Sequence, residues 1–200
     1  MTRSIRFTAA LLAVLCLPAA AFAEILSTEE ALSERIIGNP EAPITIIEYA
    51  SLTCPHCAQF HAETLPQVKK DWIDTGKAKL IYRDFPLDKY AAAASQIARC
   101  APKDKYFTFL NAFYAQQKNW SRASDPIAVL GQLAGLGGMS QADVDACLAN
   151  QELQDGILQM RLDGQMEYDV NSTPSLIVNG KKMGNLPYAD FNQILENASQ

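Results

Sequence analysis

Two cysteines three positions apart, in Cys54-Pro55-His56-Cys57, are the residues of this chain best suited to chemistry. At the start of a helix that spacing lets the two sulfurs close a small disulfide ring. Pro55 suits the first helical position, because the N–H it lacks would have no intrahelical partner there. Cys54 then stands at the helix N-terminus, where free backbone N–H groups and the helix dipole favour an anion. His56, one residue inside, is placed to add a donor or a positive charge beside the same sulfur. Each effect favours the thiolate over the thiol. A fall in the Cys54 pKa from about 8.5 to about 4 would favour the thiolate by roughly 6 kcal/mol. A stabilised thiolate makes the disulfide easy to reduce, and a low leaving-group pKa speeds release of Cys54 from a mixed disulfide. The expected chemistry is thiol–disulfide exchange, with this chain as the oxidant.

Two plainer roles compete with that one. A zinc site needs two further ligands at matching spacing, but Cys100 and Cys147 are isolated and His61 is the other histidine of the chain. No bound metal is therefore expected, and no cofactor, since the sulfurs themselves carry the electrons. A purely structural Cys54–Cys57 bridge closes too short a loop to stabilise much.

Three further positions bear on the motif. Glu48 lies six residues before Cys54 in an otherwise apolar run. Strand alternation could put it beneath the cysteines, where a buried acid takes the Cys57 proton through water. A solvated face or strand edge fits Glu48 equally well. Thr173-Pro174 precedes a strand-like segment. Only about 5–6% of X–Pro bonds in folded proteins are cis, so the residues alone predict a trans bond and an ordinary edge proline. His61, one and a half turns into the helix, is expected at the surface or as a cap.

The elements that must position these residues are legible in outline. Glu24 to Asn39 reads as a loose, helix-tolerant lead-in. Ile44 to Tyr49 is rich in β-branched residues and reads as a buried strand. A helix then runs to about Asp74, with a kink predicted at Pro66. Lys79 to Phe85 is a second strand, which makes a βαβ unit. From about Lys89 to Tyr168 the pattern is helical, in pieces Ala91–Cys100, Lys103–Trp120, Pro126–Ala134, Gln141–Asn150 and Glu152–Tyr168. Ser140 with Asp143 reads as a capping box. Ser175 to Val178 returns to strand, Asn179-Gly180 signals a hairpin, and a helix from Tyr188 to Asn197 closes the chain. The sheet is thus built from both ends around a helical block.

The N-terminus bears on the compartment. Arg3 and Arg6 precede an apolar run from Ala9 to Leu17, then Pro18 and Ala21-Phe22-Ala23. This reads as a secretory signal peptide cut after Ala23, since the run is shorter than the roughly 20 residues of a membrane span. Leu15 is too bulky for a lipoprotein signal at Cys16. Loss of residues 1–23 removes Cys16 from the five cysteines and changes the net charge from −5 to −7. The even remainder, in an oxidising compartment, favours a Cys100–Cys147 bridge worth about 4 kcal/mol over two free core thiols. At 200 residues with 48% apolar content, the chain is one folded domain with a large insertion, and its acidic balance has no basic footprint for nucleic acid.

Taken together, Gly38-Asn39-Pro40-Glu41-Ala42-Pro43, Glu48, Cys54-Pro55-His56-Cys57, the helical insertion and Thr173-Pro174 resemble the DsbA-type thiol:disulfide oxidoreductases. The resemblance implies a thioredoxin fold of α/β class with a large all-helical insertion. It divides the chain into residues 24–88, an insertion at 89–168, and a returning part at 169–200. It implies Cys54 as the exposed nucleophile, Cys57 as buried resolving thiol and Glu48 as the acid beneath them. Pro174 matches a cis-proline facing the disulfide, and Thr173 a residue whose backbone pairs with extended substrate. A second cysteine pair occurs in relatives, in support of Cys100–Cys147. Implied partners are unfolded exported proteins with free cysteines and a quinone-linked membrane oxidase of the DsbB type, with the chain a periplasmic monomer. The competing readings are an isomerase or reductase of the same fold, because disulfide isomerases also place threonine before this proline, and a non-catalytic chaperone or metal-handling protein.

Overall fold

The structure, a computed structural model, describes residues 25–199. The expected signal peptide, its cleavage after Ala23 and Cys16 lie outside the described residues.

Five strands form one sheet: β1 (Arg35–Ile37), β2 (Ile44–Ala50), β3 (Ala78–Asp84), β4 (Ser175–Val178) and β5 (Lys181–Met183). Their spatial order is β1-β3-β2-β4-β5. β2 and β3 run parallel, as the βαβ reading requires, and every other pairing is antiparallel. β2 is therefore central and paired on both edges, which explains its apolar, β-branched composition. Opposite Glu48 lie Tyr82 of β3 and Leu176 of β4. The Asn179-Gly180 turn joins β4 to β5, both residues having positive φ (46° and 82°) as such a turn demands.

The lead-in is more ordered than the sequence predicts. Ser27 caps a short helix, Thr28–Leu32, and β1 follows as an edge strand of three residues. Such short elements carry almost no periodic signal. What fixes them is buried charge. Arg35 donates to the carbonyls of Ala31 and Arg99 at 3.2 and 3.3 Å. Arg99 donates to the Asp84 carboxylate and to the Ala31 carbonyl, and both guanidinium groups lie over the Tyr106 ring. Ser95 also donates to Asp84, at 2.6 Å. Breaking such a fully desolvated pair would cost about 3–5 kcal/mol.

Pro66 does not end the helix that follows the cysteine motif. The helix continues from Pro55 to Ile73 through π turns at Phe60–Thr64 and Lys69–Ile73. The wider turn before Pro66 accommodates a ring that would otherwise meet the carbonyl four residues back.

The helical block comprises Lys89–Cys100, Tyr106–Ala115, Gln117–Trp120, Pro126–Leu136, Gln141–Ala149 and Gln151–Tyr168. Its boundaries follow the sequence reading except that Lys103–Trp120 is not one helix. It opens with a 3₁₀ turn and breaks at Gln116, and the Trp120 indole then folds back to donate to the Phe113 carbonyl at 2.7 Å. Ser140 and Asp143 form the capping box. The sulfurs of Cys100 and Cys147 are bonded, tying the first of these helices to the fifth.

Gly164 lets the last helix of the block approach β2. A Cβ there would stand 2.5 Å from Cε1 of Tyr49. Gly164→Ala is therefore expected to lower unfolding stability by about 1–3 kcal/mol through overpacking, measured by denaturant titration.

Candidate active site

Cys54 is the N-cap of the helix beginning at Pro55, which occupies its first turn. Both motif cysteines are free thiols here, so the structure describes the reduced dithiol. Cys54 is only 7% exposed, more buried than the exposed position expected of it because the Thr173 loop packs on its sulfur, and Cys57 is fully buried. That asymmetry follows from helix geometry: the first sulfur sits at the open end, the second on the inward face.

The two thiols are driven apart in acidity. The Cys54 thiol is held down at about 5. The largest cause is the hydrogen bond from Cys57; burial opposes it, and Thr173 and the backbone N–H groups of Cys57 and His56 assist. Burial, the Cys54 hydrogen bond, and the charges of Cys54 and Glu48 push Cys57 well above the usual thiol range. At neutral pH the pair is thus a thiolate beside a thiol.

The remaining predicted residues converge on this pair. Thr173–Pro174 is a cis peptide bond, contrary to the trans form expected from proline statistics. Cys54 Sγ lies 3.2 Å from the Thr173 carbonyl, to which it donates in its protonated form, and the buried Thr173 hydroxyl has no hydrogen-bond partner among the described residues. His56 contributes its backbone N–H, while its imidazole is exposed. Glu48 is fully buried, on the inward face of β2 and not at an edge.

His61 is the clear departure from expectation. Its backbone is partly exposed, but its side chain is only 4% exposed and faces inward. Nε2 lies 3.0 and 3.1 Å from the two Glu48 carboxylate oxygens. The ring stacks on Tyr114 with centroids 4.2 Å apart and meets Tyr82 edge-on. The spacing that could have revealed this was present: His61 follows Cys57 by four residues, hence lies on the same helix face one turn on.

Gln117 carried no such signal. It is 4% exposed, and its amide donates to the carbonyls of Leu52 at 2.8 Å and Cys54 at 2.9 Å. The helical block thereby grips the loop that presents Cys54. A second grip comes from Asp88, which caps the helix Lys89–Cys100 and accepts from the Thr53 hydroxyl at 2.6 Å. Gln117→Ala strands two buried carbonyls, so a stability loss of about 1–3 kcal/mol is expected. The loosened loop should also raise the Cys54 pKa, read from thiolate absorbance at 240 nm against pH.

Among the described residues, no group of three or more His, Cys, Asp or Glu side chains is placed to hold a metal ion. A thiol of lowered pKa at a helix start, a buried partner thiol and the Thr173 carbonyl beside Cys54 are the parts that dithiol exchange requires. The chain belongs to the thioredoxin family, whose sequence profile matches residues 30–197. It is similar to alpha-DsbA1 of Wolbachia pipientis, with a TM-score of 0.76, 28% identity, and coverage of 92% of this chain and 94% of that one. A Rickettsia conorii protein named as a protein-disulfide oxidoreductase is 32% identical over 154 residues, 76% of this chain and 56% of its own length. Disulfide bond formation protein D of Bacillus subtilis is 25% identical over 167 residues, 80% of this chain and 73% of its own. The chain spans from 55% to 64% of the length of the rickettsial relatives it matches. These likenesses agree with the α/β fold and its inserted helical block.

Proposed function

We propose that this protein is a thiol:disulfide oxidoreductase that donates its Cys54–Cys57 disulfide to newly exported proteins. The observation that carries the reading is the opposed acidity of the two thiols, with Cys54 at about 5 and Cys57 far above it. A substrate thiolate attacks Cys54 Sγ, the Cys54–Cys57 bond breaks, and Cys57 leaves with the electron pair and takes up a proton. A second substrate thiolate then attacks the substrate sulfur of the mixed disulfide. Cys54 departs as a thiolate, and its low pKa makes it a good leaving group. The substrate loses two electrons and the enzyme dithiol holds them.

In this scheme Glu48 is the buried acid that exchanges a proton with Cys57, and Thr173 offers backbone to an extended substrate segment beside Pro174. Cys100–Cys147 is a structural bridge within an insertion spanning 89–168. The leader at 1–23 directs the chain to the periplasm, where it acts as a monomer and a DsbB-like quinone-linked membrane oxidase re-oxidises it. The test is equilibration with glutathione together with two ribonuclease assays. An oxidant has a potential well above that of thioredoxin and oxidises reduced ribonuclease faster than it repairs the scrambled form. A strongly reducing potential, or the opposite preference, overturns the reading in favour of a reductase or isomerase.

A further inference from the structure

The last helix of the block, Gln151–Tyr168, buries Leu153, Ile157, Met160 and Gly164 on its inner face. Its outer face is also apolar. Leu158, Leu162 and Met166, each four residues from the next, are 39%, 49% and 73% exposed. Leu87, in the loop after β3, is 49% exposed. That loop is held to the same helix, because Arg161 donates to the Pro86 carbonyl at 2.7 Å and lies over the Phe85 ring. Among the described residues these four are all but one of the large apolar side chains that stand exposed, Leu136 being the other. A single exposed leucine is ordinary, whereas four gathered on one surface mark a place for a partner. The surface adjoins the reaction centre at both ends. The Leu87 N–H donates to Ser51 Oγ at 3.3 Å, and Asp88 accepts from Thr53, the residue before Cys54. Beyond Met166 the helix runs into the segment that carries Thr173, tied back by the Val170 N–H on the Gly164 carbonyl. The rim is acidic. Asp155 and Asp163 stand three residues before Leu158 and Met166, each accepting from a glutamine, Gln151 or Gln159. Neither has an ion-pair partner among the described residues.

We propose that this surface holds the polypeptide of a reduced substrate, seating an apolar segment that carries a lysine or arginine while a cysteine of the same chain meets Cys54. The proposal deepens the oxidoreductase reading and rests on it. Cys54 is only 7% exposed beneath the Thr173 loop and offers a substrate little area to hold, so the area that binds lies beside it. Leucine and methionine side chains repack around different apolar partners, as a surface that admits many sequences requires. The two unpaired carboxylates favour a positive charge in the seated segment. A second copy of this chain fits less well, because two-fold pairing of this face would set acidic rim against acidic rim. The seated segment makes the same contacts before and after exchange. It therefore lowers the concentration of substrate needed and leaves the chemical step and its electron count as described above.

The experiment is stopped-flow reduction of the oxidised full chain by dithiothreitol and by two synthetic dicysteine peptides at varied concentration. One peptide flanks its cysteines with leucine, phenylalanine and lysine; the other has serine and glutamate in those places. Each peptide rate is read as a ratio to the dithiothreitol rate of the same protein, which removes any change in the cysteines themselves. Wild type is expected to reach half its limiting rate at about 10-fold lower concentration of the first peptide. Combining Leu158→Gln, Leu162→Gln and Met166→Gln, which keeps good helix formers on the face, should abolish most of that preference. The loss should appear in the half-saturating concentration and not in the limiting rate. Asp155→Asn with Asp163→Asn should remove the share due to lysine, as added salt does in wild type. Should the triple variant not fold, Leu162→Gln alone decides. A wild type indifferent to the two peptides overturns the proposal, and so does a preference that survives the glutamines. A dimeric wild type with a monomeric triple variant in sedimentation assigns the face to a second copy and also overturns it. Failure of wild type to oxidise even dithiothreitol overturns the oxidoreductase reading instead.

Discussion

Serine in place of Cys57 leaves the protein covalently attached to whatever disulfide it meets. Cys54 remains an activated thiolate, because the helix N-terminal N–H groups, Thr173 and a serine hydroxyl can all still donate to it. It attacks a substrate or glutathione disulfide and forms a mixed disulfide, but the resolving sulfur is gone. The adduct should accumulate and be visible as a dithiothreitol-sensitive mass increase on non-reducing gels. Cys54→Ser should show no adduct, and its oxidase rate should fall by at least about 10³-fold, the scale of losing a nucleophile. Adducts of equal yield through both cysteines would contradict the assigned division of labour.

The second large effect is on stability against pH. In the folded dithiol Cys54 ionises at about 5, whereas an unfolded cysteine ionises near 8.5. A depressed pKa contributes stability that is complete above the unfolded value and is lost as pH falls toward the folded one. At about 1.36 kcal/mol per unit, the reduced form gains roughly 4 kcal/mol at pH 8 and about 3 at pH 7, and almost nothing at pH 5. The raised pKa of Cys57 matters only above about pH 8.5, where the unfolded thiol would ionise. The oxidised form has no such dependence, and its four-residue ring stabilises it by about 2 kcal/mol on chain-entropy grounds. Reduced protein should therefore melt above oxidised protein at pH 8, and the order should reverse near pH 6. Parallel calorimetry of the two forms from pH 5 to 8 checks this. A gap independent of pH would mean that Cys54 is not an activated thiol.

The sequence was most informative where a residue acts through its neighbours along the chain. Pro55 at a helix start, the Ser140–Asp143 box and the Asn179-Gly180 turn are all decided within a few positions, whereas Glu48 was open between core and surface because burial stops alternating at Glu48, Tyr49 and Ala50. What it concealed are meetings between distant segments. Gln117 reaches the Cys54 carbonyl, Arg99 reaches Ala31 and Asp84, and β1 owes its place to three pairings with β3. None has a periodic or compositional mark. His61 lies between these cases. Its helix face was readable, but the π turn at Phe60–Thr64 and the stacking on Tyr114 depend on the helical block being in place. Proline frequencies alone pointed to the wrong isomer at Thr173–Pro174, because a population average knows nothing of the loop that packs over Cys54.

The pairing of β2 with β4 also bears on how the chain comes to life. Glu48 and the cysteines are synthesised long before Thr173 and the strand beyond it. Until Leu176 arrives opposite Glu48, one edge of β2 is unpaired and the acid has no roof. Closing that contact means bringing together segments separated by the whole helical block, a slow, high-contact-order step. A partly emerged chain thus carries a cysteine pair without the loop that caps Cys54. The finished chemistry awaits the last fragment of sheet, so activity itself reports that the whole molecule has folded.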